Sequence, residues 1–176
     1  MIGRFFRRSR PDTAVAAWWR EAHAVAQQPT AEAIDRLRTP ADPTVSPDET
    51  ENRTEMIEGL ERLLVVAGAE ALPTLTTQHR VIGPDTCHFM TPVSLPGAAD
   101  APGKLFVTDR RLIVSGGSVT ALPWHRIRQV SREGRELIAG GGDHAIHVQC
   151  NSYGDALVVH HLATRLGPQP RRETGA

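Results

Sequence analysis

The chain has 176 residues, of which 40% are hydrophobic and 23% charged, a balance that suits one sizeable core and argues against wholesale disorder. Twenty basic and twenty acidic side chains cancel to a formal net charge of zero, and aromatics make up only 5%, so no nucleic-acid partner is expected. Two cysteines are too few for a disulfide framework, and no apolar run approaches the roughly 20 residues of a membrane span.

The zero balance conceals an uneven distribution. Residues 1–10 hold Arg4, Arg7, Arg8 and Arg10 with no acid, residues 42–70 hold eight acids against Arg53 and Arg62, and residues 103–138 hold seven bases against three acids. An acidic central helix and a basic C-terminal half can therefore attract each other within the fold.

In chain order, the first segment mixes Ile2, Phe5 and Phe6 with four arginines. Phe5, Phe6, Arg7 and Arg8 are candidates for grazing an anionic bilayer, against the alternative of a basic terminus docked on the protein by its rings. The apolar run from Ala14 to Trp19 stops at Arg20 and Glu21, too short for the core of an export signal. Residues 12–28 predict a helix with Val15, Trp18, Ala22 and Val25 on one face, stopped by Pro29. A shorter helix is predicted from Thr30 to about Arg38, and three prolines in residues 39–47 predict a semi-rigid linker. Ser46, Pro47 and Glu49 then supply an N-cap, a first-turn proline and a capping-box acid, opening a helix over about 47–67 with Met56, Ile57, Leu60, Leu63, Leu64 and Ala67 at helical spacing.

Past Pro73 the pattern changes to short apolar pieces between Gly, Pro, Asn and Asp clusters. Strands are predicted at 75–82, 87–95, 103–108, 111–116, 118–122, 127–132, 135–139 and 144–150, with a loop over 96–102 and a hairpin turn over Gly140 to Asp143. The clearest piece is the hairpin whose polar turn, Asp109 and Arg110, separates Leu105 to Val107 from Leu112 to Val114. Asp155 is placed to cap a last helix with Val158, Leu162 and Leu166 as its stripe.

This order of elements, with Gly103, Leu105, Val107, Thr108, Asp109, Arg111, Leu112 and Ile113 in the first signature and Leu122, Pro123, Trp124, Ile127 and Val130 in the second, resembles the bacterial pleckstrin-homology-like superfamily and its GRAM-like members over about residues 75–166. The elements together predict an α+β protein in which an N-terminal helical segment (1–72), which the resemblance does not cover, packs on a domain (73–167) that the resemblance makes a pleckstrin-homology-like antiparallel β-barrel or sandwich capped by a C-terminal helix, with a flexible tail (168–176). The resemblance further implies a non-catalytic binding or assembly module that holds a protein partner or a second copy of itself. The alternative is a peripheral adaptor on an anionic membrane surface. Loop 96–102 carries no base, so the basic loop through which eukaryotic relatives hold a lipid headgroup is missing.

Candidate contact residues are arginines. Arg126 and Arg128 share a face if 125–130 is extended, and Arg132 continues the row, giving a three-guanidinium edge for an anion, a lipid headgroup or a partner; the alternative is a solvated strand face. Arg111 follows the hairpin turn, where bonding to loop carbonyls competes with ligand contact. Cys87, His88, His144, His147 and Cys150 can be assembled into a metal site only on paper, because strand alternation separates them, and no metal or cofactor is expected. Gly140 to Gly142 lead into Asp143 and His144 rather than Lys-Ser/Thr, which excludes a P-loop, and no nucleophile and base are spaced for catalysis. Trp18, Trp19 and Trp124 are read as anchors of packing. The expected location is the cytoplasm, with the inner membrane face as the peripheral alternative.

Overall fold

In the computed structural model, residues 13–38, 45–96 and 101–167 are described. Four helices and seven strands follow in the order α1 (Thr13–Gln27), α2 (Ala31–Leu37), α3 (Pro47–Gly68), β1 (Cys87–Leu95), β2 (Ala101–Thr108), β3 (Arg111–Gly116), β4 (Ser118–Pro123), a 3-10 turn (Trp124–Arg126), β5 (Gln129–Glu133), β6 (Glu136–Gly141), β7 (His144–Cys150) and α4 (Tyr153–Leu166). The candidate membrane-contact residues Phe5, Phe6, Arg7 and Arg8, and the tail from residue 168, lie outside the described residues.

The strands form one antiparallel sheet in the order β4-β3-β2-β1-β7-β6-β5. Its two halves meet at β1 and β7 through only two residue pairs, Val93 with Cys150 and Ser94 with Gln149. The halves fold over a shared interior, in which Leu105, Val107, Leu112 and Leu122 of one meet Leu137, Ala139, Ile146 and Val148 of the other. The sheet does not close, and α4 inserts Ala156, Val158, Val159, Leu162 and Ala163 into the same interior. This α+β arrangement of N-terminal helices, a bent seven-stranded sheet and a C-terminal helix is consistent with a pleckstrin-homology-like sandwich.

Local chemistry sets the ends of these elements. Ser46 accepts a hydrogen bond from the Glu49 amide (3.2 Å), with Pro47 in the first turn of α3, as the capping box requires. Thr30 caps α2 through the Ala33 amide. At α4 the expectation is corrected by one turn: the cap is Ser152, which accepts from the Asp155 amide (2.9 Å), and the helix starts at Tyr153. Asp155 is thereby freed to accept from Thr91 Oγ1 (2.9 Å) and to pair with Arg62 (2.8 Å), tying α4 to β1 and α3.

Two further expectations are revised. Residues 75–82 do not form a strand; apart from one bridge between Leu75 and Cys87 they run as irregular chain and turns. β1 is already paired on one side with β2 and near its far end with β7, so the segment lies flat on the sheet instead. There Ile82 and Cys87 cover Phe106 and Ile113, the outward residues of the central hairpin, and the His79 ring sits 4.7 Å from that of Phe106. β2 is consequently buried on both faces, which explains its unbroken Leu-Phe-Val-Thr run. The second revision concerns 127–132: the chain turns through a 3-10 helix at Trp124–Arg126 before β5 begins at Gln129.

The N-terminal helices build a second core from Ala22, Val25, Ala33, Ile34, Leu37, Met56, Leu60 and Leu63, and Leu157 of α4 completes it. Charge of opposite sign frames that contact, with Glu55 of α3 holding Arg135 and accepting from the Tyr153 amide. Trp19 reaches across as well, donating to Glu49 (2.9 Å) and packing its ring 5.2 Å from Tyr153. At the crossing of α3 and α4 the two backbones touch: a Cβ on Gly59 would stand 2.5 Å from the Gly154 Cα, and one on Gly154 would stand 2.8 Å from the Gly59 Cα. Neither residue tolerates a side chain unless the helices separate. Gly59→Ala should therefore cost about 1–3 kcal/mol through overpacking, whereas Gly68→Ala, with open space around its Cβ, should be neutral or slightly stabilising. Thermal unfolding of the two variants checks this, and equal midpoints would contradict the close crossing.

Candidate functional site

The signature hairpin builds a rigid corner. Thr108, fully buried, accepts from the amides of Arg110 (3.3 Å) and Arg111 (3.0 Å) and donates to the Arg111 carbonyl (2.7 Å), which closes the turn by side-chain chemistry. Trp124 Nε1 donates to the Thr108 carbonyl (2.8 Å), so the second signature is pinned to the first. Asp109 binds Thr86 through both its carboxylate and its amide. Arg111 pairs with the Asp85 carboxylate at 2.7 Å and donates to the Ile82 carbonyl at 3.2 Å. Arg111 thus holds the 80–85 turn over the sheet, and its guanidinium is engaged inside the protein.

The other three arginines do not form a row. The 3-10 turn between Trp124 and Arg126 breaks the extended path that would have aligned them. Arg126 lines a cleft of about 230 Å³ between β4 and the β6–β7 hairpin, with Asp143 and His144 on its other wall. Arg128 lines one of about 260 Å³ between the start of β5 and the end of α4. Arg132 turns into a third, of about 300 Å³, where β5 meets α4 and the helical core. The β6–β7 hairpin comes so close to this region that a Cβ on Gly141 would stand 2.4 Å from the Arg126 carbonyl oxygen. The glycine run therefore serves packing and a two-residue turn, in which Gly142 takes φ +64°.

The thiols and imidazoles considered for a metal are dispersed. Cys87 belongs to the outer cluster with Phe106, Cys150 to the main interior, and His88 is bonded through Nδ1 to the Pro73 carbonyl (2.7 Å). Among the described residues no three His, Cys, Asp or Glu side chains are grouped to hold a metal ion. Burial pushes the Cys150 thiol up to about 12, with the nearby Asp155 charge adding to the effect, and burial raises the Cys87 thiol as well.

Sequence reasoning missed two features. One is the exposed edge of the sheet. Both β4 and β5 are terminal strands, but α4 packs along β5, with Val130 against the core that α4 shares. β4 has no such cover: Ser118, Val119, Thr120 and Ala121 are all exposed, Val119 to 56%. Its signal was legible as a strand without a charged residue, Ser118 to Pro123. The other feature is the group of basic side chains around Arg132. Burial lowers the imidazoles of His160 and His161, and Arg132 and Arg165 respectively add to the effect; His23 of α1 is lowered by burial and by Arg132.

No protein-family model matches this chain, and no curated protein matches it. Among solved structures, the FERM and C-terminal domain complex of Drosophila Merlin is similar with a TM-score of 0.40 and 12% identity, covering 89% of this chain and 56% of that one. The chain thus spans little more than half of that neighbour's length. Among the described residues no helix is long and apolar enough to cross a membrane.

Two outcomes follow from the lowered histidines and from the burial of the thiols. The three histidines are held below their ordinary value in the fold, so the unfolded chain takes up protons first as pH falls. Stability from this source should be complete above about pH 7 and should decline as pH drops below about 6.5 toward the lowered folded values. Melting temperatures across that window check it, and the decline should shrink in His160→Gln. The native thiols should also resist a thiol-specific reagent near neutral pH until the chain unfolds; prompt modification of Cys150 would contradict its burial.

Proposed function

We propose that this protein is a non-catalytic binding module that holds an extended segment of a protein partner along the free edge of β4. The observation that carries this reading is the contrast between the two sheet edges. β5 is covered by α4, whereas β4 presents four successive exposed residues. A terminal strand offers a row of backbone donors and acceptors, and edges that must stay unpaired usually carry charge, proline or a bulge. Ser118, Val119, Thr120 and Ala121 bring none of these, and Pro123 falls only at the strand's last position. An incoming strand would gain main-chain hydrogen bonds here, and alternate side chains would settle into flanking clefts. One such cleft lies by Thr120, Ala121 and Arg126, and another by Leu95, Gly116 and Ser118. Asp143 and His144 at the first would favour a polar residue of the partner over an apolar one.

A second copy pairing its own β4 would use the same chemistry and would appear as a concentration-dependent dimer. The Arg-rich lipid face has less to support it, since its three guanidiniums line separate clefts.

Val119→Lys tests the proposal. Lysine on an exposed edge should change stability by no more than about 0.5 kcal/mol yet block strand pairing. A stoichiometric partner recovered with the wild type, or a dimer seen by sedimentation, should disappear in Val119→Lys while the melting temperature is kept. Unchanged recovery would contradict the edge as the contact.

A further inference from the structure

We infer that the cleft around Arg132, where β5, α4 and the helical core meet, is a binding site for a small phosphate-class oxyanion. It is separate from the β4 edge and does not depend on the binding reading above. Three elements converge there. β5 supplies Arg132, α4 supplies His160 and His161 with Leu157 between them and the core, and α1 and α3 supply Gln27 and Leu63. The lining contains no carboxylate.

Arg132 is the centre of the site. Its guanidinium donates to the Gly134 carbonyl (2.9 Å), and no carboxylate among the described residues is recorded as its ion-pair partner. Arg111 and Arg135, by contrast, are both matched by acids. A part-buried guanidinium that has lost water without gaining a counter-charge is costly to the fold, and an anion would offset that cost. His161 repeats the pattern on the other wall: its Nε2 is shielded from solvent and has no hydrogen-bond partner among the described residues. His160 lines the cleft beside Arg132, and its imidazole is lowered chiefly by burial.

Arg132 acts on His160 and His23, and Arg165 on His161, so any of these imidazoles that takes up a proton adds positive charge beside an arginine. α3 adds only Leu63 to the lining, and Asp155 and Arg132 both act on the Cys150 thiol. A planar guanidinium, an amide and two imidazoles that each gain a second N–H on protonation line one cleft, a set that suits a tetrahedral oxyanion with many acceptor oxygens. A phosphate group displaces on the order of two to three waters, so a cleft of about 300 Å³ leaves room for a small organic body on the apolar floor of Leu63 and Leu157.

Binding should be coupled to protonation. Within the cleft an anion favours the imidazolium forms of His160 and His161, so affinity should rise as pH falls. Sulfate is a suitable probe because its own charge is constant over this range. Full-length protein would be titrated with sulfate at about pH 6 and about pH 8, at ionic strength matched with sodium chloride, while the histidine ring resonances are followed. The expected result is a saturable shift of the His160 and His161 signals, about tenfold tighter at the lower pH, that is lost in Arg132→Met and weakened in His161→Asn. The combined fluorescence of Trp18, Trp19 and Trp124 reports whether each variant is folded; if Arg132→Met is not, the His161→Asn titration decides alone. Phosphatidylcholine vesicles carrying phosphatidate identify the source. Arg132-dependent pelleting would assign a lipid headgroup, and sulfate saturation without pelleting would assign a soluble phosphate ester. A sulfate titration no different from sodium chloride, or one unchanged in His161→Asn, would overturn the site.

Discussion

The structure depends on one helix that serves two cores. α4 presents Ala156, Val158, Val159, Leu162 and Ala163 to the folded sheet and Leu157 to the N-terminal helices, so it has apolar contacts on two sides. Each fully buried Val or Leu on it contributes roughly 1.5–3 kcal/mol, and no single partner could collect all of that burial. The helices and the sheet therefore have to meet on opposite sides of α4. Gly59 and Gly154 allow that meeting to be close, since a methyl group on either would push α3 away.

The corner around Thr108 has the corresponding role at the far end of the sheet. Thr108 closes the hairpin turn, Trp124 locks the next turn to it, and Arg111 with Asp85 clamps the segment that covers Phe106 and Ile113. The residues that carry the family resemblance are thus spent on architecture. The contact surfaces we propose lie elsewhere, on β4 and in the cleft where β5 meets α4, positions that the corner and the shared helix hold in place.

Much of the framework was legible because local chemistry and tertiary packing agree. The cap at Ser46, the apolar spacing of α3, the β2–β3 hairpin and the order of the remaining strands all follow from patterns a few residues long. Other features needed long-range partners. Residues 75–82 have a strand-like composition, but Arg111 and Ile82 draw them flat over the sheet. The arginine row failed because a three-residue helical turn resets the alternation. Asp155 looked like a cap because its other commitments, to Thr91 and Arg62, lie 64 and 93 residues away. The basic cleft was hidden for the same reason: Arg132, His160 and Gln27 share no local pattern, and only the packing of α4 between sheet and helices brings them together.

Native-state hydrogen exchange tests the shared helix most directly. If α4 joins the two cores, the amides of Leu60 in α3 and Phe106 in β2 should open with the same free energy, since neither core survives the loss of the helix between them. Rapid exchange throughout α3, with β2 still fully protected, would show that the helical core detaches on its own and would contradict the account.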